Sequence, residues 1–243
     1  MRHCVRDGSW SVPVGSSCSF GAAPCRWRAC EGPPGDLFGQ TSREGRVAHG
    51  GAVLTVGANP VEVEVELVSG GLVCPGCDGS LGPWGWARRR QLRGMTGPVV
   101  VRPRRARCSS CRVSHVLLPV FALARRGDLV EVIGAALSAK AAGAGARRIA
   151  AWLGRPVETV RGWLRSFAGR AQQLRAWFTV LLVDTGVDPV PPAATGTPFA
   201  DAVAAVFGAV VAARSRWPRV GQVSPWWWAS AVSAGRLLAP CWP

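Results

Sequence analysis

The pattern of apolar and polar positions changes near Asp128. After this residue, apolar side chains recur every three or four positions, which is typical of helices that bury one face. Before it, apolar residues come in short groups, and the β-branched run Val99-Val100-Val101 favours a strand. The pattern predicts a small β-rich part followed by a larger helical part.

The helical part is predicted to contain several helices separated by glycine-rich and proline-rich breaks. Asp128 is placed to cap the first helix, because its carboxylate can accept hydrogen bonds from the free N–H groups of the first turn. The four prolines of 184–198 exclude a regular element there. The helices are expected at 129–142, at 146–165 as a pair, and at 166–183, 199–217 and 225–238.

Residues 146–165 have the spacing of a helix-turn-helix. The small Ala150 lets two helices approach closely, and Gly154, four residues later, supplies a left-handed turn. Val160 and Trp163 then return apolar side chains to the core of the first helix. A purely structural helical hairpin is the alternative, and the full spacing favours the DNA-binding version.

Two residues depart from this motif. Arg155 stands where an apolar residue is usual, and Gly162 lies inside the second helix, where it costs about 1 kcal/mol relative to Ala. Trp152 and Trp163 are expected to be core residues rather than base-stacking groups. The candidate DNA contacts of the pair are Glu158, Thr159, Arg161 and Arg165 on the second helix, with Arg147 and Arg148 on the first.

Four cysteines form two pairs in the β-rich part, Cys74 with Cys77 and Cys108 with Cys111. Each pair has two residues between its cysteines, which lets both thiolates bind one metal ion, and four sulfurs complete a tetrahedral zinc site. A redox Cys-x-x-Cys is the alternative, but such a motif normally occurs singly. We therefore expect Zn²⁺ as the cofactor, and a domain that unfolds without it.

The residues between the cysteine pairs are predicted to form a long hairpin. Its arms are 84–93 and 98–107, its turn is 94–97, and 115–118 returns as a third strand. This is the layout of a zinc ribbon. His115 is expected to be a structural strand residue.

The segment 59–70 is compatible with two structures. Its valines and glutamates alternate, which favours a strand, but Asn59 is a good cap, Pro60 suits a first helical position, and Gly70 can end a helix. A short helix packed beside the ribbon is predicted. Residues 1–57 show no sustained period, and their cysteines, Cys4, Cys18, Cys25 and Cys30, match no metal pattern, so this segment is expected to be disordered or weakly ordered.

Charge adds a candidate partner. The net charge is +15, and no Asp or Glu occurs between residues 79 and 127. Such a one-sided block should attract nucleic acid, whereas a solvated surface in an arginine-rich protein is the bland alternative. The arginines of this block that we predict to contact DNA are Arg88, Arg89, Arg90, Arg104 and Arg105.

Two aromatic segments lie near the C-terminus. Trp226-Trp227-Trp228 either packs over the helical part or forms a sticky partner surface, and packing is favoured. Residues 241–243 are expected to be a frayed tail. No signal peptide is visible, and the apolar run 199–213 is too short to cross a membrane, so we expect a cytoplasmic, nucleoid-associated protein with no membrane contact.

The order of these parts resembles an uncharacterised bacterial family of zinc-ribbon and helix-turn-helix proteins. The resemblance rests on the cysteine pairs, Trp84-Gly85-Trp86-Ala87-Arg88-Arg89-Arg90, His115-Val116-Leu117-Leu118-Pro119 and the helix-turn-helix. Members of the family resemble the DNA-binding front end of insertion-sequence transposases. The resemblance covers about 59–240 and implies four zinc-ligating cysteines and DNA binding by 146–165.

The sequence thus predicts a mainly α fold with a small β zinc ribbon, a helix-turn-helix helical domain and a disordered N-terminal segment. The divisions expected are 1–57, 58–120 (ribbon with its helix), 121–183 (helical domain), the linker 184–198, and 199–243 (C-terminal helices). The expected partner is double-stranded DNA, with a homodimer as an option.

Catalysis is not expected. A carboxylate transposase needs three acidic residues on Mg²⁺, and after the helix-turn-helix only Asp184, Asp188 and Asp201 remain, in or near the proline-rich loop. The function expected is that of a non-catalytic regulator or a DNA-binding remnant of a mobile element. The alternatives are a protein-interaction module with a structural zinc ribbon and a tryptophan-rich docking tail, and a DNA-binding subunit of a transposase.

Overall fold

A computed structural model of the protein describes residues 52–240 and residue 242. The predicted weakly ordered segment 1–57 lies outside the described residues except at its end. There the prediction is wrong, because Ala52–Val56 forms a strand, β1. Three of its five residues, Val53, Thr55 and Val56, have the β-branched side chains that favour a strand.

In the part of the chain that the structure describes, six strands form two small sheets. The strands are β1, β2 (Leu81–Trp86), β3 (Arg90–Arg93), β4 (Pro98–Val101), β5 (Arg104–Cys108) and β6 (Ser114–Pro119). A four-stranded sheet has the order β1-β6-β5-β2, in which β1 is parallel to β6 and the other pairs are antiparallel. β3 and β4 pair with each other in a second sheet, which we call the hairpin.

The hairpin differs in one respect from the prediction. The turn lies at 94–97 as expected, closed by a hydrogen bond from the Gly94 N–H to the Gly97 carbonyl. The arms 84–93 and 98–107 are each broken into two strands, however. Gly85 has a φ of +89° and lies in a bulge between Pro83 and Trp86, where the register between β2 and β5 shifts.

The ambiguous segment 59–70 is a helix, as predicted: α1 (Pro60–Val68). The Asn59 side chain accepts a hydrogen bond from the Val61 N–H, and its amide donates to Glu62, so both ends of the cap are satisfied. Val63 and Leu67 point from α1 into a core shared with the sheet. The helix therefore covers one face of the four-stranded sheet.

Six further α-helices follow in the described residues. They are α2 (Val130–Ala141), α3 (Ala146–Leu153), α4 (Val157–Ala168), α5 (Ala171–Thr185), α6 (Pro198–Arg216) and α7 (Pro225–Val232), with a short 3₁₀ helix at Pro218–Gln222 before α7. The helices and two small sheets make a mixed fold in which helix dominates.

Three helix boundaries in the structure differ from the predicted ones. Asp128 does not cap α2, whose N-cap is Leu129 with no side-chain hydrogen bond. The helix expected over 166–183 is interrupted, because Arg170 leaves helical geometry at φ −134° and begins a new helix, α5. The last helix ends at Val232 rather than at residue 238.

One large core unites the helices and the C-terminal segment. Trp226 and Trp228 of α7 are buried in it, as predicted for the tryptophan run. Gly134 of α2 is required for this packing, since a Cβ there would lie 2.1–2.3 Å from the Trp226 ring. The tail prediction fails at Trp242, whose ring packs 4.9 Å from that of Trp177. Residues 241 and 243 lie outside the described residues.

The length of helix α6 corrects the prediction that its apolar run is too short to cross a membrane. By length and hydropathy it is, among the described residues, the one helix that could cross a membrane, although the apolar run 199–213 was judged too short. Ala202, Val206 and Ala209 on one face are fully buried against the other helices. That burial is typical of a core helix, which passes the same test of length and composition.

Candidate metal centre and arginine surface

The four predicted cysteines come together because β2 and β5 are paired. Cys74 and Cys77 lie in the loop before β2, Cys108 ends β5, and Cys111 lies in the turn before β6. The register opposes Leu81 and Cys108, which places the two loops side by side. The Gly76 N–H contacts the Cys74 sulfur at 3.4 Å, as in a tight metal-binding knuckle.

The spacing of the sulfurs fits one metal ion. The Sγ atoms of Cys74 and Cys111 are 3.7 Å apart, those of Cys77 and Cys108 are 3.4 Å apart, and all four lie within 4.8 Å of one another. Tetrahedral Zn²⁺ with bonds of about 2.3 Å would place its sulfurs about 3.8 Å apart. The four thiols are free rather than disulfide-bonded. The cluster is thus compatible with zinc.

The thiols differ in how readily they ionise. Cys74 and Cys108 are buried, whereas Cys77 and Cys111 are exposed. Burial raises the pKa of Cys74 to about 12. Burial also opposes ionisation of Cys108, but hydrogen bonds from the N–H groups of Cys111 and Ser110 outweigh it and lower the pKa of Cys108 to about 6. A cation is therefore needed to hold all four sulfurs as thiolates.

The position of His115 beside the cysteines was not predicted. Its pairing on β6 opposite Ala106 of β5 buries the ring, as expected of a strand residue. The ring also lies at the metal centre, with Nε2 3.4 Å from the Cys74 Sγ. Burial lowers the pKa of His115 and favours the neutral imidazole. An imidazole in this position can orient a metal-bound thiolate from outside the ligand set.

The arginines between the two cysteine pairs that were predicted to bind DNA divide into two groups. Arg104 is engaged, because Glu64 of α1 accepts two hydrogen bonds from it at 2.8 and 2.9 Å. Arg90 donates to the Arg126 carbonyl at 3.0 Å. Within the described part of the chain, no carboxylate pairs with Arg88, Arg89 or Arg105. These three keep an uncompensated charge.

Two tryptophans missed by the sequence analysis stand among these arginines. Trp84 and Trp86 of β2 are each 50% exposed. The guanidinium of Arg107 lies 4.5 Å from the Trp84 ring, and those of Arg104 and Arg102 lie 4.7 and 5.6 Å from the Trp86 ring. The signal available in the sequence was Trp-Gly-Trp facing an arginine-rich strand across the hairpin.

Helices α3 and α4 pack as a pair around a left-handed glycine. Gly154 has φ 60° and ψ 41°, and Ile149, Ala150, Leu153, Val160 and Trp163 are all buried, as the spacing predicted. Trp152 is a correction: it is 59% exposed and not a core residue. Of the predicted contacts, Arg147, Arg148, Glu158 and Arg165 are exposed, and Thr159 and Arg161 are half-buried. Arg161 pairs with Glu158 on the surface of α4.

The contacts of Arg155 account for its presence where a helix-turn-helix usually has an apolar residue. Its Nε donates to Asp128 at 2.7 Å and its Nη2 to the Gly94 carbonyl in the turn of the hairpin at 2.8 Å. Asp128 also accepts from Arg93 of β3 at 2.6 Å. The residue expected as a helix cap is instead a buried carboxylate that joins the hairpin to the α3–α4 turn.

The three carboxylates considered for catalysis lie at separate places. Asp184 is exposed near the end of α5, Asp188 lies in the following loop, and Asp201 in α6 pairs with Arg175 and accepts from Thr195. The Thr195 hydrogen bonds lower the pKa of Asp201. Among the described residues, the four cysteines are the one group of three or more His, Cys, Asp or Glu side chains placed to share an ion.

Comparisons with protein families, with curated proteins and with solved structures find no match to this chain. The resemblance to the front end of insertion-sequence transposases therefore stays a prediction.

Proposed function

We propose that this protein is a zinc-dependent, double-stranded DNA-binding protein of insertion-sequence origin that acts as a non-catalytic regulator or DNA-binding remnant. The zinc ion would be held by Cys74, Cys77, Cys108 and Cys111 in a zinc ribbon. The α3–α4 pair would be the helix-turn-helix, with α4 in the major groove.

The observation that carries the proposal is the exposed face of α4. Glu158, Arg161, Gly162 and Arg165 lie on it at helical spacing. Glu158 and Arg165 are exposed and Arg161 and Gly162 are half-buried, whereas their neighbours Val160, Trp163 and Leu164 are buried. A Cβ on Gly162 would meet no atom within 4 Å, so the helix backbone is bare at that point and a groove wall can approach it closely. This gives the glycine a use that offsets its helix propensity.

Arginines that have no carboxylate partner add positive charge around this face. Arg147 and Arg148 of α3 are exposed beside α4, and Arg88 and Arg89 lie between the sheet and the hairpin. The Arg155–Asp128–Arg93 bridge fixes the hairpin against the α3–α4 turn. Arginines on both parts are thus held in one frame, as phosphate contacts on a stiff duplex require.

The test is a selection from random duplex DNA followed by gel shifts with zinc, with chelator, and at two salt concentrations. Arg165→Ala is expected to weaken binding and to reduce the log-log salt slope by about 0.9, the value of one phosphate contact. The control is Arg219→Ala, an exposed arginine outside the α3–α4 pair. Duplex binding that is absent, or equal with and without zinc, contradicts the proposal.

The assignment of no catalysis has its own test. Mg²⁺-dependent strand cleavage by the purified protein that disappears in Asp184→Ala would overturn it. The control is Asp36→Ala outside the described residues, which removes one carboxylate without touching the candidate set.

A homodimer contact is a second candidate function, supported by α1. Val61, Val65 and Val68 form a stripe on its outer side and are each at least 64% exposed. Val65→Glu is expected to convert a concentration-dependent dimer into a monomer in sedimentation experiments. The earlier alternative, a docking tail at Trp226–Trp228, loses its surface because two of those three rings are buried.

A further inference from the structure

The tryptophans of β2 offer a second kind of binding surface. Trp84 carries one guanidinium, that of Arg107, at 4.5 Å and leaves half of its surface exposed. Trp86 is equally exposed beside Arg102 and Arg104. Indoles are among the side chains that a fold most gains from burying, so two half-exposed rings on one short strand need a reason.

The strand geometry holds these rings at the surface. The bulge at Gly85, with φ +89°, inserts one extra residue between Pro83 and Trp86 and sets Trp86 opposite Arg104. Such a bulge re-aims the side chains beside it. Beside this bulge, the Trp84 ring lies against the guanidinium of Arg107, and the Trp86 ring lies against those of Arg102 and Arg104.

The charge around the rings is positive and largely uncompensated. Arg104 is balanced by Glu64, but within the described residues no carboxylate pairs with Arg102 or Arg107. Arg102 also lines a cleft of about 510 Å³ with Arg88 and Arg89. The basic track therefore continues from the tryptophans into this cleft. We call Trp84, Trp86, Arg102 and Arg107 the tryptophan–arginine surface.

We propose that the tryptophan–arginine surface binds a single-stranded nucleic acid, whose unpaired bases stack on Trp84 and Trp86 and whose phosphates contact Arg102 and Arg107. A duplex keeps its bases in the stack and presents no free π-face to an indole, whereas a single strand presents one at each nucleotide. The guanidinium on each ring fixes its orientation and leaves the remaining surface for a base. This site lies on β2, on β5 and on the connection between β4 and β5, and it does not require duplex binding by α4.

The test measures fluorescence anisotropy of the zinc-loaded full chain with labelled oligothymidylate and oligouridylate of about 12 nucleotides, and with a duplex of equal length. Trp84→Ala and Trp86→Ala are each expected to raise the Kd for single strands at least about fivefold and to leave duplex binding unchanged. Arg165→Ala is expected to do the reverse. The two proposed sites can therefore fail independently.

The matched control is Trp217→Ala. Trp217 is 49% exposed and lies 5.7 Å from the guanidinium of Arg216, but it is far from β2 in the chain and outside the ribbon. If an alanine variant fails to fold by circular dichroism, Trp84→Leu keeps an apolar side chain without a π-face, and Trp84→Phe restores a ring. Binding retained in Phe and lost in Leu supports stacking.

Three results overturn the proposal. They are no single-strand binding by the unaltered protein, an equal loss in Trp217→Ala, and competition by polyglutamate as effective as that by oligothymidylate, which would show a surface that senses charge alone. A preference for the uridylate or the thymidylate strand supports it and identifies RNA or DNA as the occupant.

Discussion

At the scale of single residues, Asp128 has the most demanding environment. It is 2% exposed and accepts hydrogen bonds from Arg93 at 2.6 Å and from Arg155 at 2.7 Å. A buried carboxylate is costly unless it is paired and hydrogen-bonded, and here two guanidiniums supply both. The two arginines belong to different parts of the fold, so Asp128 joins those parts, together with the hydrogen bond from Arg155 to the Gly94 carbonyl.

We expect Asp128→Asn to lower the free energy of unfolding by about 3 kcal/mol, because the amide leaves the largely buried Arg155 guanidinium without its carboxylate and also removes the ion pair with the half-exposed Arg93. Denaturant unfolding followed by circular dichroism measures this. Glu158→Gln is the control, since it removes an exposed partner of Arg161 and should change stability by less than about 1 kcal/mol. Equal effects of the two substitutions would show that the burial of Asp128 is unimportant.

The buried thiol of Cys74 predicts how zinc affinity depends on pH. Burial raises its pKa to about 12, so the thiol carries its proton between pH 6 and 8 and must lose it when zinc binds. Affinity should therefore rise with pH, by at least about tenfold per unit between pH 6 and 8. Competition titrations with a chromophoric chelator measure it, after correction for the chelator's own protonation. A flat profile would contradict cysteine ligation.

At the scale of elements, we predict opposite effects on stability for alanine substitutions at two glycines that lie inside helices. Gly134 of α2 touches the Trp226 ring, and a Cβ there would lie 2.1 Å from it, whereas a Cβ on Gly162 of α4 would lie in open space. Gly134→Ala is expected to cost about 3 kcal/mol through overpacking. Gly162→Ala should instead stabilise the protein by about 1 kcal/mol.

Thermal unfolding of the two variants checks this pair. The same measurement bears on α4, because Gly162→Ala should also weaken duplex binding if the bare backbone faces a groove wall. A Gly134→Ala protein that is as stable as the unaltered chain would show that α7 can move away from α2 without loss.

The sequence predicts elements where the signal is local. The cap at Asn59, the turn at 94–97 and the left-handed Gly154 each depend on a few adjacent residues, and all are present. The bulge at Gly85 was not predicted, because it depends on how β2 meets β5. A strand pattern with a glycine allows both a straight arm and a bulged one.

The candidate site was predictable to the same extent. The paired Cys-x-x-Cys spacing was enough to predict that the four sulfurs lie together, because each pair is a local unit. The roles of Asp128 and Arg104 were not predictable, because their partners lie 27, 35 and 40 residues away and no short pattern encodes such a pairing. Composition indicated a basic surface but not which arginines are already engaged.

At the scale of the whole molecule, the fold has two main cores of unequal size. The sheet and α1 enclose a small core that contains two of the candidate ligands, Cys74 and Cys108. The helices enclose a much larger core that contains none of the four cysteines. The hairpin lies between them and is attached to the helical side through Asp128 and Arg155.

Metal removal should therefore unfold one part of the protein and spare the other. Zinc binding is worth on the order of 10 kcal/mol at neutral pH, which exceeds what so small a core can supply alone. Amides of β2 and β5 are expected to lose at least about a hundredfold of their hydrogen-exchange protection on chelation, while those of α2 and α6 stay protected. Mass spectrometry of exchanged peptides measures each segment separately.

The hairpin decides between this picture and a single cooperative fold. The Arg93 N–H donates to the Gly127 carbonyl and the Leu129 N–H to the Arg93 carbonyl, so β3 is tied to the start of α2 independently of the metal. We expect its amides to keep their protection in the chelated protein and to lose it in chelated Asp128→Asn. Chelator already saturated with zinc is the control. If the helical amides exchange together with those of β2, the two cores are one cooperative unit and the metal supports both.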